Sequence, residues 1–382
     1  MSALTVRQEI ANLDAYVPGL SIAEIQQKYH LSQVIKMASN ENPLGMSPMA
    51  QEAVKRHASE AFRYPQGGNP RLTLALATRH KVKASRVIVG NGSDELIDLL
   101  IRVLAEPGRH NIVCFDPCFS IYPIQSRICG VKAHRIPLKE NFSFDFDALL
   151  RRVDDNTRLV FLTTPDNPSG FCPPREDVEK LARALAAKAP HCRLVVDEAY
   201  MDFADNEEAL SLLASGLLPD NTAITRTFSK SFGLAGLRLG YAVLPGNLAG
   251  YLWRARLPFS VNILAEEAAL AVLNDVTFYE ATQQTVRDGR KTLADGLTAL
   301  KCTVWPSAAN FLMFHMPEEG PDARECFEAL LQKGIIIRPL KSYGLPDHLR
   351  VSVGNAQENQ LFLSAMGDII TRHEPSARSG KA

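Results

Sequence analysis

The sequence predicts an α/β protein, a large domain on a parallel sheet with helices on both faces, joined to a smaller α+β domain. Three observations carry this expectation. The chain has 382 residues, more than one compact core usually accommodates. Its middle alternates short β-branched runs with amphipathic helical stretches, the pattern of parallel strands and crossover helices. Its last third changes to long helical periodicity with only scattered strands.

In chain order, the expected strands of the large domain are Val87–Val89, Ile112–Phe115, Leu159–Leu162, Leu194–Val196, Ala223–Thr225 and Gly240–Val243. Between the first two lies Asp94–Leu104, apolar on nearly every side except at Asp98 and Arg102, so it reads as a buried helix. A second helix, Pro174–Ala187, opens with a proline and sets Val178, Leu181, Ala182 and Leu185 on one face. Helical periodicity resumes from Ala265 to Leu300 with a break at Asn274-Asp275. Strands Asn310–His315, Ile335–Ile337 and Leu349–Val353 then alternate with helices Ala323–Gln332 and Glu358–Ile370. The expected organisation is an N-terminal segment, 1–45, that joins the small domain; a large domain, 46–260; a small domain, 261–374, with a long linking helix; and a disordered tail, 375–382, rich in Ser, Arg, Gly and Ala.

Composition removes several classes of function. Lys plus Arg is 42 and Asp plus Glu is 42, so the formal net charge is zero. A protein devoted to nucleic acid or an anionic membrane needs a basic excess, and neither partner is expected. No apolar run reaches the roughly 18 residues of a membrane helix, and the start lacks a basic and apolar leader, so a cytoplasmic location is expected. The seven cysteines include no Cys-x-x-Cys pair and read as reduced thiols in or near the core. The nine histidines lack metal-site spacing, so no metal is expected. Gly-x-Ser-x-Gly and the Walker phosphate loop are also absent.

Three segments carry chemistry. Val-Gly-Asn-Gly-Ser-Asp-Glu (89–95) joins a strand to a helix through Gly90 and Gly92, and the helix start offers free N–H groups for a phosphate. Glu95 occupies the third glycine position of a dinucleotide fingerprint, which disfavours a nucleotide-binding dehydrogenase. Arg-Leu-Val-Val-Asp-Glu-Ala-Tyr (193–200) delivers Asp197 at a strand's C-terminal end, where parallel sheets bind ligands. The segment 225–240 collects Thr227, Ser229, Lys230, Ser231 and Arg238 among glycines, a setting that suits a phosphate dianion and a Schiff-base lysine. Each segment alone has a purely structural reading. Together, a strand-end Asp, a Lys and two phosphate-binding elements make the set a pyridoxal phosphate enzyme requires.

With these motifs the sequence resembles the fold-type I, class-II pyridoxal-phosphate-dependent aminotransferases, and among them the histidinol-phosphate aminotransferase family. The likeness runs from Ser39-Asn-Glu-Asn-Pro-Leu-Gly45 to Leu349-Arg-Val-Ser-Val-Gly354. Between these lie Arg63-Tyr-Pro-Gln-Gly-Gly68, Gly90-Asn-Gly-Ser-Asp-Glu95, Asp116-Pro-Cys-Phe-Ser-Ile-Tyr122, Thr164-Pro-Asp-Asn-Pro-Ser-Gly170, Asp197-Glu-Ala-Tyr200, Ser229-Lys230 and Gly236-Leu-Arg238. The resemblance implies a mostly parallel mixed sheet and a pyridoxal 5′-phosphate cofactor. It implies that Lys230 forms the cofactor imine, that Asp197 pairs with the pyridine nitrogen, and that Asn167 and Tyr200 bind the ring hydroxyl oxygen. Phe119 should stack on the ring, and Gly92, Ser93, Asp94, Thr227, Ser229 and Arg238 should bind the phosphate. Tyr64 should reach the phosphate region of a neighbouring subunit, which implies a homodimer. Arg350, helped by Arg338 and Tyr16, should bind the acidic group of a phosphorylated amine or of 2-oxoglutarate, and Asn167 should also contact substrate. Asp166 stands where Asn is common, and Phe119 where Tyr is usual. Threonine-phosphate decarboxylation, aromatic amino acid transamination and a non-catalytic regulator on the same fold remain open at this point, the last disfavoured by intact Lys230 and Asp197.

Overall fold

A computed structural model of the chain describes residues 5–13, 19–216 and 218–373. The expectations for Tyr16 and for the 375–382 tail lie outside the described residues. After two helices, Gln8–Ala11 and Ile22–Tyr29, the first strand is the short β1 (Ile35–Lys36). Seven strands follow, β2 (Val87–Gly90), β3 (Asn111–Asp116), β4 (Lys132–Pro137), β5 (Thr157–Thr163), β6 (Arg193–Asp197), β7 (Thr222–Thr227) and β8 (Gly240–Val243). They form one sheet in the order β2-β8-β7-β6-β5-β3-β4.

Both faces of this sheet are covered, so β2, β3, β5, β6 and β8 carry buried apolar runs rather than alternating with exposed polar residues. The side-chain period of two still divides them: Leu159, Phe161 and Val195 enter one core with Leu96, Ile97 and Leu100. Val160, Leu162, Leu194 and Val196 enter the opposite core with Leu181 and Leu185. Each fully buried leucine here contributes about 1.5–3 kcal/mol of transfer free energy. The helix Gly92–Leu104 lies in the first core with Leu96, Ile97, Leu99, Leu100 and Ile101 buried, while Asp98 and Arg102 pair on its outer side at 2.8 Å. The helix Arg175–Lys188 buries Val178, Leu181, Ala182 and Leu185, with Pro174 as its N-cap.

The sheet is the mostly parallel mixed one that the family resemblance implies, and two of its strands depart from the strand-by-strand reading. Strand β8 runs antiparallel to both β2 and β7. The connection from β7 to β8 contains one 3-10 turn, Ala235–Leu237, and no α-helix, so it cannot make the crossover that parallel pairing requires. Strand β4, Lys-Ala-His-Arg-Ile-Pro, has no apolar run because it is the sheet's edge, pairing only with β3. An exposed edge tolerates charge and a terminal proline.

In the C-terminal third, β9 (Thr303–Val304), β10 (Phe311–His315), β11 (Ile335–Ile336), β12 (Arg338–Pro339) and β13 (His348–Ser352) build two further sheets. The larger has the order β12-β13-β10-β9, all antiparallel. The strand expected at 335–337 is β11, which pairs in parallel with β1, and the chain then resumes as β12 in the antiparallel sheet. That pairing ties the N-terminal segment to the C-terminal third. The helical region around 265–300 breaks where expected: Ile263–Val272 ends, and Asp275 caps Val276–Ala299 by accepting from the Phe278 N–H at 3.1 Å. The long helix bridges two cores, with Phe278 packed in that of the central sheet and Val286, Leu293 and Leu297 in that of the antiparallel sheet.

Asp275 also accepts from the Ser47 hydroxyl at 2.5 Å, so one carboxylate caps the bridging helix and anchors the start of another helix, Pro48–His57, whose N-cap is Ser47. Asp275→Ala should lower unfolding stability by about 1–2 kcal/mol, read from the midpoint of urea denaturation at unchanged slope.

Candidate active site

The parallel strands end together on one edge of the sheet, with Thr163 of β5 beside Asp197 of β6 and Asp197 beside Thr225 of β7. A cavity of about 220 Å3 opens there. Ten of the residues singled out from sequence line it: Ser93, Asp94, Phe119, Asn167, Asp197, Tyr200, Thr227, Ser229, Lys230 and Arg238. They come from five separate stretches of chain, which only this strand order brings together.

Asp197 lies at the cavity floor and is 2% exposed. Tyr122 donates its hydroxyl to Oδ2 at 2.8 Å, and Thr225 donates to Oδ1 at 3.0 Å. Burial pushes the carboxyl up to about 6 despite these two donors. No Lys, Arg or His among the described residues pairs with it, so a cationic N–H in the cavity would be its natural counter-charge. Tyr122 was contained in a recognised motif, but its role was missed. Only the fold carries a side chain from the helix Ile121–Ile128 under the end of β6.

Lys230 reaches the cavity from the loop after β7. Its Nζ donates to the Ser39 carbonyl oxygen at 3.0 Å and meets no carboxylate within ion-pair distance among the described residues. Desolvation pulls the amine down from 10.5 to about 8, and the charge of Arg350 adds to the shift. A neutral amine is a nucleophile and a base; an ammonium is neither. Lys230 is flanked by Ser231, whose hydroxyl donates to Asp202 Oδ2. Asp202 and Glu198 in turn hold Arg226, at 3.2 and 2.6 Å.

The phosphate-type features gather at the other end of the cavity. Gly92 opens the helix Gly92–Leu104 at φ +76°, and a Cβ there would lie 2.7 Å from Arg238 Nη2. Gly240 is equally constrained, since its Cβ would sit 2.4 Å from the Ser93 backbone nitrogen. Both contacts require glycine, so the helix start, β8 and the guanidinium can approach closely. Arg238 Nη2 lies 3.1 Å from Asp94 Oδ2, a half-exposed pair open to an incoming anion. The free N–H groups of the helix start, the Thr227 and Ser229 hydroxyls and Arg238 thus form one cradle that fits a phosphate dianion. With Asp197 at the far end and Phe119 on a wall, the residues present fit a phosphorylated pyridine.

Arg350, 5% exposed, lies behind Asn167. It donates to Asn167 Oδ1 and, at 3.0 Å, to the Ala38 carbonyl oxygen, and its guanidinium stands 5.0 Å from the Phe311 ring centre. Its Nε has no hydrogen-bond partner. Arg338 is its cross-strand neighbour, so the two guanidinium groups rise from adjacent strands at the same register. Neither has a carboxylate partner among the described residues. Tyr64 is elsewhere: it is 81% exposed and stacks on Phe259 at 4.8 Å. Asp166 accepts from the Ser169 N–H at 3.1 Å and its hydroxyl at 2.6 Å, and so closes the turn that presents Asn167. Burial lifts the Asp166 carboxyl to about 6.

The fold and the cavity define an aminotransferase of classes I and II, and the model of that family, Aminotransferase class I and II, matches residues 32–366. Within that class the chain belongs to the histidinol-phosphate aminotransferase family. It is 58% identical over 365 residues to histidinol-phosphate aminotransferase of Nitratidesulfovibrio vulgaris Hildenborough, covering 96% of this chain and 96% of that protein. The enzyme of the same name from Oleidesulfovibrio alaskensis G20 is 56% identical over 366 residues, covering 96% and 95%. Among solved structures, histidinol-phosphate aminotransferase of Sinorhizobium meliloti in complex with pyridoxal-5′-phosphate superposes with a TM-score of 0.85 at 25% identity, covering 97% of this chain and 98% of that one.

The depressed amine gives a direct test. In the chain without added ligand, the rate at which Lys230 is dinitrophenylated should climb through about pH 8, where its amine loses the proton, and not near 10.5. Peptide mapping of the labelled residue across pH would reveal a rise above pH 10 instead if the cavity did not desolvate it.

Proposed function

We propose that this chain is a pyridoxal-phosphate-dependent transaminase of histidine biosynthesis. It converts L-histidinol phosphate and 2-oxoglutarate into imidazole-acetol phosphate and L-glutamate. The observation that carries the anionic substrate is Arg350: a buried guanidinium with an unpartnered Nε and no carboxylate. Leaving such a charge uncompensated is costly, so an acidic group of the substrate is its counter-ion. The near relatives at 56–58% identity support the donor's identity.

When bound, pyridoxal phosphate supplies an electron-withdrawing ring that makes the substrate's Cα–H acidic and carries the amino group between donor and acceptor. The chain's own residues do the rest. Gly92, Ser93 and Asp94, through the helix start, and Thr227, Ser229 and Arg238 hold the phosphate. Asp197 holds a proton on the pyridine nitrogen; its carboxyl, raised by burial, returns toward the ionised form beside that cation. Asn167 and Tyr200 bind the ring oxygen, and Phe119 covers a ring face. Lys230 anchors the cofactor. Its neutral amine would remove the substrate's Cα proton as a base and return it as an acid. Arg350 and Arg338 receive the phosphate of one substrate and the carboxylate of the other, since a guanidinium fork matches both oxyanions. Tyr16 is assigned to the same acidic group on the family likeness alone.

Lys230→Ala should lower multiple-turnover transamination by at least about 10³-fold, and an undiminished rate would overturn the assignment. Coupled assays with 2-oxoglutarate should rank histidinol phosphate far above phenylalanine, tyrosine and threonine phosphate. Release of CO2 from threonine phosphate would instead identify a decarboxylase.

We further infer a homodimer in the cytoplasm. Phe62 at 79%, Tyr64 at 81% and Leu257 at 69% exposure are large apolar groups left in water, and Tyr64 stacks on Phe259, two residues beyond Leu257. Tyr64 is the group that would reach the partner's phosphate cradle. Sedimentation should give twice 42.1 kDa, and Tyr64→Ala should weaken cofactor retention; a monomer that retains full activity would sink this reading. All seven cysteines are unpaired and no described helix is long and apolar enough to cross a membrane, in keeping with that location.

A further inference from the structure

Tyr200 can face a ligand in either of two ways, because a phenol oxygen both donates and accepts. Its ring is locked edge-on against Phe311 at 5.1 Å, so only the hydroxyl hydrogen is free to choose. The neighbour that decides is Asn40, whose Nδ2 lies 3.1 Å from the Tyr200 oxygen.

Asn40 is itself tightly determined. It is 1% exposed and adopts φ +54°, a left-handed conformation that asparagine reaches more readily than other residues with side chains. Its backbone N–H donates to Ser352 Oγ at 2.9 Å, and Ser352 Oγ–H donates back to Asn40 Oδ1 at 2.8 Å. Asn310 Nδ2 donates to the Asn40 carbonyl oxygen at 3.1 Å. Ser352 has a single hydroxyl hydrogen, and Oδ1 is the acceptor beside it. A flipped amide would leave that hydrogen without an acceptor in a buried place, where an unmade hydrogen bond is costly. The amide oxygen therefore faces Ser352 and the NH2 group faces Tyr200. An NH2 group can only donate, so the Tyr200 oxygen accepts from it and its own hydrogen is directed elsewhere.

We propose that Asn40 is a positioning residue that makes the Tyr200 hydroxyl an obligate donor to the ring oxygen of bound pyridoxal phosphate. The proposal rests on the reading that Tyr200 faces that oxygen. The one-way chain runs from the Asn40 N–H through Ser352 to the Asn40 amide, then to Tyr200 and the cavity. Ser352 lies two residues beyond Arg350 on β13, so the strand that carries the substrate-binding arginine also orients a cofactor-binding tyrosine. Asn40 carries no charge, whereas the charged groups around Tyr200, namely Arg350, Asp197, Asp94 and Lys230, whose Nζ lies 5.7 Å from its ring centre, stay in place when Asn40 is changed.

A hydrogen bond donated to the ring oxygen stabilises it as an anion and lowers the spectroscopic pKa of the lysine-bound cofactor in the holoenzyme. Visible absorption titrations of Asn40→Gly, Tyr200→Phe and the double variant test this. Glycine keeps the left-handed backbone and the bond to Ser352. Tyr200→Phe should raise the spectroscopic pKa by about one unit, and Asn40→Gly by a sizeable part of that. Asn40→Gly should add nothing in the Tyr200→Phe background, because Asn40 acts through the hydroxyl. A shift of equal size in both backgrounds, or none in Asn40→Gly while Tyr200→Phe shifts, overturns the proposal. No shift in Tyr200→Phe overturns the reading of Tyr200 on which it rests. Should Asn40→Gly fold poorly, Ser352→Ala frees the amide to rotate and should give a smaller rise that also vanishes without the Tyr200 hydroxyl; a rise that persists there counts against the proposal.

Discussion

The buried ion cluster around Arg226 is the interaction on which the site depends. β6 ends at Asp197, and the period of two sends Asp197 into the cavity and Glu198 to the opposite side. There Glu198 meets Arg226 at 2.6 Å, and Arg226 also reaches Asp202 at 3.2 Å and Glu207 at 2.8 Å. Such a cluster adds little net stability over an apolar core, but removing one member leaves uncompensated charge and costs about 3–5 kcal/mol. What it secures here is geometry. Through Asp202 and Ser231 it grips the residue after Lys230, and through Glu198 the residue after Asp197. Asp197 and Lys230, the acid and the amine proposed to act on the cofactor, are thus held by one rigid network behind the sheet.

In front of the sheet the electrostatics are opposite in character. In the cluster around Arg226 every charged group has a partner of opposite charge; among the described residues Asp197, Lys230, Arg338 and Arg350 have none. Desolvation raises the acid to about 6 and lowers the base to about 8, so both move toward neutrality. Each is therefore poised to change protonation when a ligand supplies the missing partner. A cofactor with a cationic ring nitrogen and a dianionic phosphate, followed by an acidic substrate, answers all of these demands with one set of groups.

Most of this was legible in the sequence, and the exceptions share a physical origin. Strands β2, β3, β5, β6 and β7 announced themselves because both of their faces are buried and a short apolar run marks each. β4 did not, since an edge strand need not be apolar. The antiparallel course of β8 was hidden because a strand's direction is set by its connection, and the absence of a helix between 228 and 239 is a weaker signal than a helix's presence. Lys230, Asp197, Asn167 and the phosphate cradle came from local motifs. Tyr122, Ser39 and Asn40 lay inside recognised motifs, but their roles depend on contacts with residues far along the chain, and no spacing rule reports those.

The N-terminal segment shows how such distant contacts work together. Residues 38–42 belong to no long element, yet they join β13 to the loop that carries Lys230. The Ala38 carbonyl accepts from Arg350, and the Ser39 carbonyl accepts from Lys230. Asn40 bridges Ser352 and Tyr200, while Asn42 donates to the Ser231 carbonyl at 2.8 Å and to Thr282 at 3.2 Å. Backbone carbonyls that satisfy a cation without neutralising it suit a site that must later give that cation to a substrate oxyanion. A carboxylate in their place would compete with the substrate at full Coulombic strength; a carbonyl dipole competes weakly and yields. Ala38, Ser39 and Asn40 are therefore best understood as neutral contacts that keep the amine and the guanidinium in position, while the one carboxylate of the stretch, Glu41, lines the cavity, pairs with Lys36 at 3.2 Å and favours the charged amine only from a distance.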